Sequence, residues 1–200
     1  MATQTTVNPL YPVFLKLHEL DLLIVGAGEV GHEKLYFMLK NSPHANVTIV
    51  APWVSPKIEA LLEACPGHRV TFRRRAFEPT DVVGFPLVVA ATNDRALNES
   101  VREAAKSWGA LVNVADTPEL CDFYLGAVVT RGDLKIAIST NGKSPTFAKR
   151  LRELLEEALP ANTPNLLNHL HSLRKRLTGD FAAKVDRLND LTASLVERGN

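Results

Sequence analysis

The sequence predicts an α/β fold: a Rossmann-like parallel sheet with helices on both faces, followed by a small β-hairpin plus a helical dimerisation region. Three observations predict it. Short apolar, β-branched runs alternate with helix-period segments through the first 116 residues, the pattern of a parallel sheet covered on both faces. The first apolar run opens directly into Gly26-Ala27-Gly28-Glu29-Val30-Gly31, a Gly-rich turn in a strand-turn-helix setting. After residue 116 the alternation stops, and a hairpin pattern and amphipathic helices follow.

Taken in order, residues 21–27 (DLLIVGA) read as a buried strand, and 29–41 as a helix that stops near Asn41-Ser42-Pro43. Residues 46–52 (NVTIVAP) form a second strand rich in β-branched side chains. The segment 55–65 is a helix with Ser55 as N-cap and Pro56 first. Residues 68–77 (HRVTFRRRAF) alternate in the manner of a strand near an edge, and 86–92 (PLVVAAT) is a fully apolar strand. An amphipathic helix spans 94–109 and closes on Gly109, and 110–116 (ALVNVAD) is a fifth strand. Gly26, Pro52, Thr92 and Asp116 all fall at the carboxyl ends of strands, where open α/β sheets hold ligands.

Beyond Asp116, residues 124–140 read as a hairpin turned at Arg131-Gly132-Asp133, and 144–159 as a helix with Ser144 as N-cap, stopped by Pro160. Two further helices are expected, split at Gly179, with Leu166, Leu170, Leu173 and Leu177 on one face and Phe181, Val185, Leu188 and Leu195 on another. The organisation expected is a dinucleotide-binding domain over 1–116, a dimerisation and substrate domain over 117–160, and a C-terminal helical region over 161–200. A hairpin with three helices buries little alone, so its apolar face calls for the sheet domain or a second subunit, and a homodimer is expected.

The 200 residues carry a formal net charge of +1, so no global field favours nucleic acid or an anionic membrane. Two distant cysteines, Cys65 and Cys121, exclude a disulfide framework and a zinc ribbon and fit a reducing cytoplasm. No apolar run has membrane-spanning length, and the polar start MATQTTVNP reads as a disordered lead-in, not a secretory signal. The six histidines show no metal-binding spacing, so no structural metal is expected.

In the Gly-rich turn, Gly26 permits the tight turn, Gly28 lets backbone approach a pyrophosphate, and Gly31 lets the helix pack close to the strand. The second strand ends Val50-Ala51-Pro52-Trp53. No carboxylate stands there for an adenosine ribose and no Arg for a 2′-phosphate, which leaves NAD and NADP open. Tyr36 and Lys40, spaced like a short-chain dehydrogenase pair, sit behind the turn and belong to the helix surface. Arg73-Arg74-Arg75 reads as an edge-strand guard rather than a binding patch. Asn141-Gly142-Lys143-Ser144 precedes a helix and offers N–H groups, a cation and a dipole end to an anion, with Lys149 and Arg150 as further cations.

Four stretches together resemble the precorrin-2 dehydrogenase/sirohydrochlorin ferrochelatase family, the dehydrogenase module of siroheme synthase. They are YPVFLKLHELDLLIVGAGEVGHEKL, VVAATNDRALN, VNVADTPELCDF and IAISTNGKSPTFAKRLRELLEEALP, in order from Tyr11 to Pro160. The resemblance implies oxidation of precorrin-2 to sirohydrochlorin with NAD as hydride acceptor, a dimer formed through the second domain, and in some members Fe²⁺ insertion, with Fe²⁺ as a substrate. It places Gly26, Gly28, Glu29, Val30, Gly31, Pro52, Trp53, Thr92 and Asn93 at the cofactor, and Asn113, Thr140, Asn141, Gly142 and Lys143 toward a polycarboxylate tetrapyrrole. Gly31 stands where many relatives carry alanine, and Thr140 where relatives carry serine. Asp116 matches the family's catalytic aspartate. Read from its neighbours alone, Asp116-Thr117-Pro118-Glu119 also fits a helix N-cap, and both readings stand. A dehydrogenase that leaves chelation to a partner, and a non-enzymatic dinucleotide sensor, are the other function classes the turn allows.

Overall fold

The computed structural model describes residues 8–178 and 180–193. The expected lead-in up to residue 7, the break at Gly179 and the contribution of Leu195 lie outside the described residues. The chain divides into two compact units: residues 8–126 with 139–145, and residues 127–138 with 146–193.

The first unit is built on five parallel strands: β1 (Asp21–Val25), β2 (Asn46–Val50), β3 (Arg69–Arg73), β4 (Leu87–Ala90) and β5 (Leu111–Val114). Their order is β3-β2-β1-β4-β5. The chain runs outward from β1 through β2 to β3, then returns to β1's other side for β4. The switch point between β1 and β4 is where such sheets open a crevice. The apolar strands are buried because both faces are covered. Leu22, Ile24, Val47 and Ile49 pack under α1 (Glu29–Asn41) and α2 (Pro56–Ala64), against Leu35, Leu39 and Ile58. Leu23, Val25, Val88 and Val112 pack under α3 (Arg95–Trp108), against Val101 and Ala105.

The strands are shorter than their apolar runs because the last residues turn away as site loops. The ladder still reaches one step further: Gly26 N–H donates to Val50 O, Ala91 N–H to Val25 O and Ala115 N–H to Ala90 O. The carboxyl ends of β2, β1, β4 and β5 therefore stand level. β3 is an edge strand, as its alternation predicts, but it ends at Arg73 rather than Phe77. There the chain turns so that Arg73 and Arg75 reach Asp81, in the 3-10 turn Pro79–Val82 that crosses to β4.

In the second unit, β6 (Ala127–Arg131) and β7 (Leu134–Ile138) form an antiparallel hairpin through the two-residue turn Gly132-Asp133. Helices α4 (Pro145–Ala158), α5 (Thr163–Arg176) and α6 (Phe181–Thr192) follow. Leu177 lies just past the end of α5 as its C-cap, not on its face. The first unit runs beyond Asp116 because residues 117–123 fold back on β5. Asp122 N–H donates to Val112 O at 2.7 Å, and its Oδ2 accepts the Val112 N–H at 2.9 Å. That return covers a free sheet edge.

Candidate active site at the switch point

The Gly-rich turn leaves β1 at Gly26, whose φ of +106° is open only to glycine at low energy. A Cβ on Gly26 would stand 2.5 Å from the Ala91 carbonyl oxygen, and one on Gly31 would collide with the Gly26 carbonyl. These two glycines bring β1, β4 and α1 together. A Cβ on Gly28 would meet nothing within 4 Å, so the fold itself makes no packing demand there. Beyond it α1 begins with no side-chain cap. A helix start leaves its first N–H groups without intrahelical partners; here these are Glu29, Val30 and Gly31, directly after Gly28, since the His32 N–H is the one that reaches the Gly28 carbonyl. An open glycine, unoccupied donors and a helix dipole fit a dinucleotide diphosphate.

Around this turn the structure places the other expected cofactor residues. Ser55 N–H donates to Ala27 O, tying the β2–α2 loop to the Gly-rich turn and leaving Pro52 and Trp53 exposed. Trp53 is 61% exposed, an indole face free to cover a base. Glu29 reaches Lys57, at the start of α2, with Oε2 2.6 Å from Nζ. The Lys57 hydrogen bond holds the Glu29 carboxyl below its ordinary range. On β4's side, the Thr92 hydroxyl is held 2.7 Å from Asn98 Oδ1, and Asn98 Nδ2 donates to Thr92 O at 3.0 Å. Asn98 is buried, and its amide fixes the turn that leaves Asn93 exposed at the tip. Its role was visible in the sequence only as a polar residue in the second turn of an otherwise amphipathic helix.

Asp116 stands one residue past Ala115, beyond β5. It is exposed, and its φ is +56°. Thr117, not Asp116, is the cap of the short 3-10 turn Pro118–Leu120, and no side-chain cap bond is made. The capping alternative therefore has no bond to support it. The Asp116 carboxylate makes no hydrogen bond or ion pair with another described residue. By the usual strand spacing of ~4.8 Å, the two steps from β1 across β4 to β5 put it roughly 10 Å from Gly26 along the sheet. Asn113, in contrast, is 6% exposed, and its Nδ2 donates to Phe123 O at 2.9 Å.

The loop 139–145 groups with this first unit. It has φ of +53° at Asn141 and +74° at Gly142. Thr140 fastens it: Oγ1 accepts the Ser144 N–H at 3.1 Å and the carbonyl accepts the Lys143 N–H at 3.1 Å. Asp116 and Asn141 are the two positive-φ residues other than glycine among those described. Lys149 and Arg150 are exposed on α4 in the second unit, and Arg150 pairs with Glu153 at 2.8 Å. Tyr36 and Lys40 lie on the exposed surface of α1. Arg73, the last residue of β3, and Arg74 and Arg75 after it are all paired, Arg73 and Arg75 with Asp81 and Arg74 with Glu59. Among the described residues no group of three or more His, Cys, Asp or Glu could hold a metal ion, and no helix is long and apolar enough to cross a membrane.

A family model described as NAD(P)-binding matches residues 13–127, more than half the chain, and one for the central part of sirohaem biosynthesis proteins matches residues 131–158. The chain belongs to the NAD(P)-binding family of the first of these models. Siroheme synthase of Methylococcus capsulatus is 40% identical over 166 residues, covering 83% of this chain and 34% of that protein. Siroheme synthase of Pseudoalteromonas atlantica is 34% identical over 177 residues, covering 88% of this chain and 37% of that protein. The chain thus spans about a third of the length of these curated relatives. Among solved structures, SirC, a precorrin-2 dehydrogenase, superposes with a TM-score of 0.70 at 28% identity, covering 94% of this chain and 90% of that one. The NAD(P)-binding match takes in the Gly-rich turn, Thr92, Asn93 and Asp116, and the sirohaem match takes in Thr140 to Lys143.

Proposed function

We propose that this chain oxidises precorrin-2 to sirohydrochlorin in siroheme biosynthesis, passing a hydride to NAD⁺ and releasing a proton. The observation that carries this reading is the placement of Asp116. It is an exposed carboxylate without a partner among the described residues, in a left-handed conformation, beyond the end of β5 and on the β5 side of the switch point. A dinucleotide with its diphosphate over Gly28 and its adenosine toward β2 extends its other half toward β4 and β5. The likeness to SirC and to the siroheme synthases supports the substrate.

The bound cofactor supplies the hydride acceptor. The chain supplies the rest. The N–H groups of Glu29, Val30 and Gly31 would hold the diphosphate, Pro52 and Trp53 would receive the adenine, and Thr92 and Asn93 would stand toward the nicotinamide. Asp116 takes the proton that leaves as the hydride leaves, a role worth ~10²–10⁴-fold in rate. Thr140, Asn141, Gly142 and Lys143 receive substrate carboxylates, and Asn113 acts through the Phe123 backbone it holds. The three arginines at the end of β3 are paired with Asp81 and Glu59, and the end of β2 carries no acid for an unmodified ribose, so these side chains do not select between the two dinucleotides; NAD is the acceptor that the resemblance implies. Fe²⁺ enters the proposal as a second substrate: two pyrrole protons leave as the metal goes in, and Asp116 accepts them one at a time and passes each to solvent. We place the enzyme in the cytoplasm, where its two free cysteines stay reduced, and as a homodimer.

The test is anaerobic: purified protein, precorrin-2 and NAD⁺, followed by visible spectrum and NADH, then Fe²⁺. NADH together with sirohydrochlorin is expected, then siroheme faster than without enzyme. NADH without faster iron insertion restricts the chain to dehydrogenation, with chelation left to a partner. No NADH from folded protein with either NAD⁺ or NADP⁺ moves the sensor reading to the front. Asp116→Asn should fold and bind NAD⁺ yet lose turnover by about 100-fold or more; near-normal turnover would remove Asp116 as the base.

A further inference from the structure

We propose that Cys121 is a positioning residue for Asp116, its thiol clasping the two ends of the loop that presents the carboxylate. The proposal rests on the reading of Asp116 as the catalytic base. The loop leaves β5 after Val114, turns through Asp116 and returns at Cys121. At its neck, Cys121 Sγ accepts the Val114 N–H at 3.2 Å and donates toward Val114 O at 3.2 Å. One side chain thus does what a paired backbone residue does on a strand edge, as donor and acceptor at once. Thr117 O lies 3.4 Å from the same sulfur, and Asn113 Nδ2 reaches it at 3.5 Å.

The surrounding bonds converge on the same neck. Asp122 Oδ1 accepts from Lys106 Nζ at 2.9 Å, and Arg102 Nε donates to Leu120 O at 3.2 Å. None of these bonds falls on the Asp116 carboxylate. The loop is fixed at its base and its acid is left free at its tip. A left-handed aspartate keeps that conformation only where its surroundings over-determine it, and the neck is what determines it here. Burial pushes the Cys121 thiol up, against a smaller opposing effect of its Val114 hydrogen bond, so it stays an S–H that can donate. Alanine at this position leaves the Val114 N–H without its sulfur partner and the Val114 C=O with the Thr117 N–H alone, so the neck is held only one step further back, at Asp122 and Val112. Serine keeps both functions.

The experiment compares wild type, Cys121→Ala, Cys121→Ser and Asp116→Asn in anaerobic steady-state turnover of precorrin-2 with NAD⁺, together with the Kd for NAD⁺. Misplacement of a reacting group by about 1 Å can lower turnover by ~10²-fold. The expected result is a kcat at least tenfold lower in Cys121→Ala, KM values and NAD⁺ Kd within about twofold of wild type, and most of kcat restored in Cys121→Ser. Should Cys121→Ala fail to fold, Cys121→Val fills the volume without the hydrogen bonds and takes its place. A normal kcat in either variant overturns the clasp. So does a loss of kcat accompanied by an equal loss of NAD⁺ binding, which marks general unfolding. If Asp116→Asn itself turns over normally, the base assignment fails and the clasp with it. If Asp116→Asn is inactive while Cys121→Ala is normal, the clasp alone fails.

Discussion

Gly28 is the residue at which fold and ligand make separate demands. Its two neighbours in the motif are required by the protein: Gly26 by a positive φ and the Ala91 carbonyl, Gly31 by the Gly26 carbonyl. Gly28 meets nothing, so any need for glycine there comes from what binds. Gly28→Val should therefore unfold at about the wild-type temperature and lose NAD⁺ affinity by tenfold or more, since its bulk fills the diphosphate's path. Gly26→Ala should lose roughly 1–3 kcal/mol of stability. Thermal melts and NAD⁺ titration of both variants check this; unchanged NAD⁺ affinity in Gly28→Val would refute the turn as the cofactor site. The glycines were legible in the sequence because their spacing is local and their context is a strand and a helix. Asn98, Asp81 and Cys121 were not legible. Each works through a partner that only the folded chain brings near, Thr92, two arginines and Val114, and nothing in periodicity marks a polar side chain as the holder of a turn. Gly31 also has more weight than its comparison with alanine-bearing relatives suggested: here a Cβ would collide with the turn, so alanine requires the turn itself to shift.

The crossover from β3 to β4 shows what one buried carboxylate does for an element. The sequence marks a strand through residue 77, because the arginines and Phe77 continue an alternation. The chain instead bends after Arg73, since Asp81, 1% exposed at its side chain, gathers Arg73 and Arg75. Its Oδ2 also accepts the Glu78 N–H at 2.9 Å. Burial alone would raise the Asp81 carboxyl; the hydrogen bonds of Arg75, the Glu78 N–H and Arg73 outweigh it and hold the group down at about 2, from an ordinary 3.8. A depressed carboxylate contributes stability above its unfolded value and loses it as pH falls toward the folded one. The stabilisation is thus present above pH ~4 and disappears between about 4 and about 2. Asp81→Asn should lower stability near neutral pH by about 2 kcal/mol, a drop in Tm of roughly 4–8 °C, and should flatten the acid slope in that window. Melting temperatures from pH 2 to 7 test it; equal slopes in variant and wild type would show that Asp81 does not link folding to acid. The element types and their order were otherwise legible, because apolar strands alternating with helical periods admit few architectures. Their ends were not, because the residues that terminate a strand and build a site are as apolar as those inside it.

At the scale of the assembly, the second unit carries the argument for a homodimer. Among its described residues only Val129 and Ala148 are buried. Phe147 and Leu154, two turns apart on α4, are 60% and 59% exposed, and Phe181 on α6 is 76% exposed. Residues seven apart share a helix face, so α4 presents an apolar stripe, and stripes of this kind mark association surfaces. The sequence indicated an apolar face on the hairpin and helices as a group, but not Phe147 and Leu154 as its members nor what covers it, since a partner subunit leaves no mark in the order of residues that a core neighbour would not also leave. Sedimentation at micromolar concentration should give twice the 22.0 kDa of one chain. Leu154→Glu puts a charge on the stripe and changes no residue of the sheet unit. It should shift the protein toward a folded monomer that still binds NAD⁺ through the Gly-rich turn, because every residue assigned to the diphosphate belongs to the first unit. A wild-type chain that sediments as a single monomer, or a Leu154→Glu variant that remains a dimer of unchanged affinity, would remove this face from the assembly. A monomer that had also lost NAD⁺ would mean that the cofactor site, too, is completed by the second subunit.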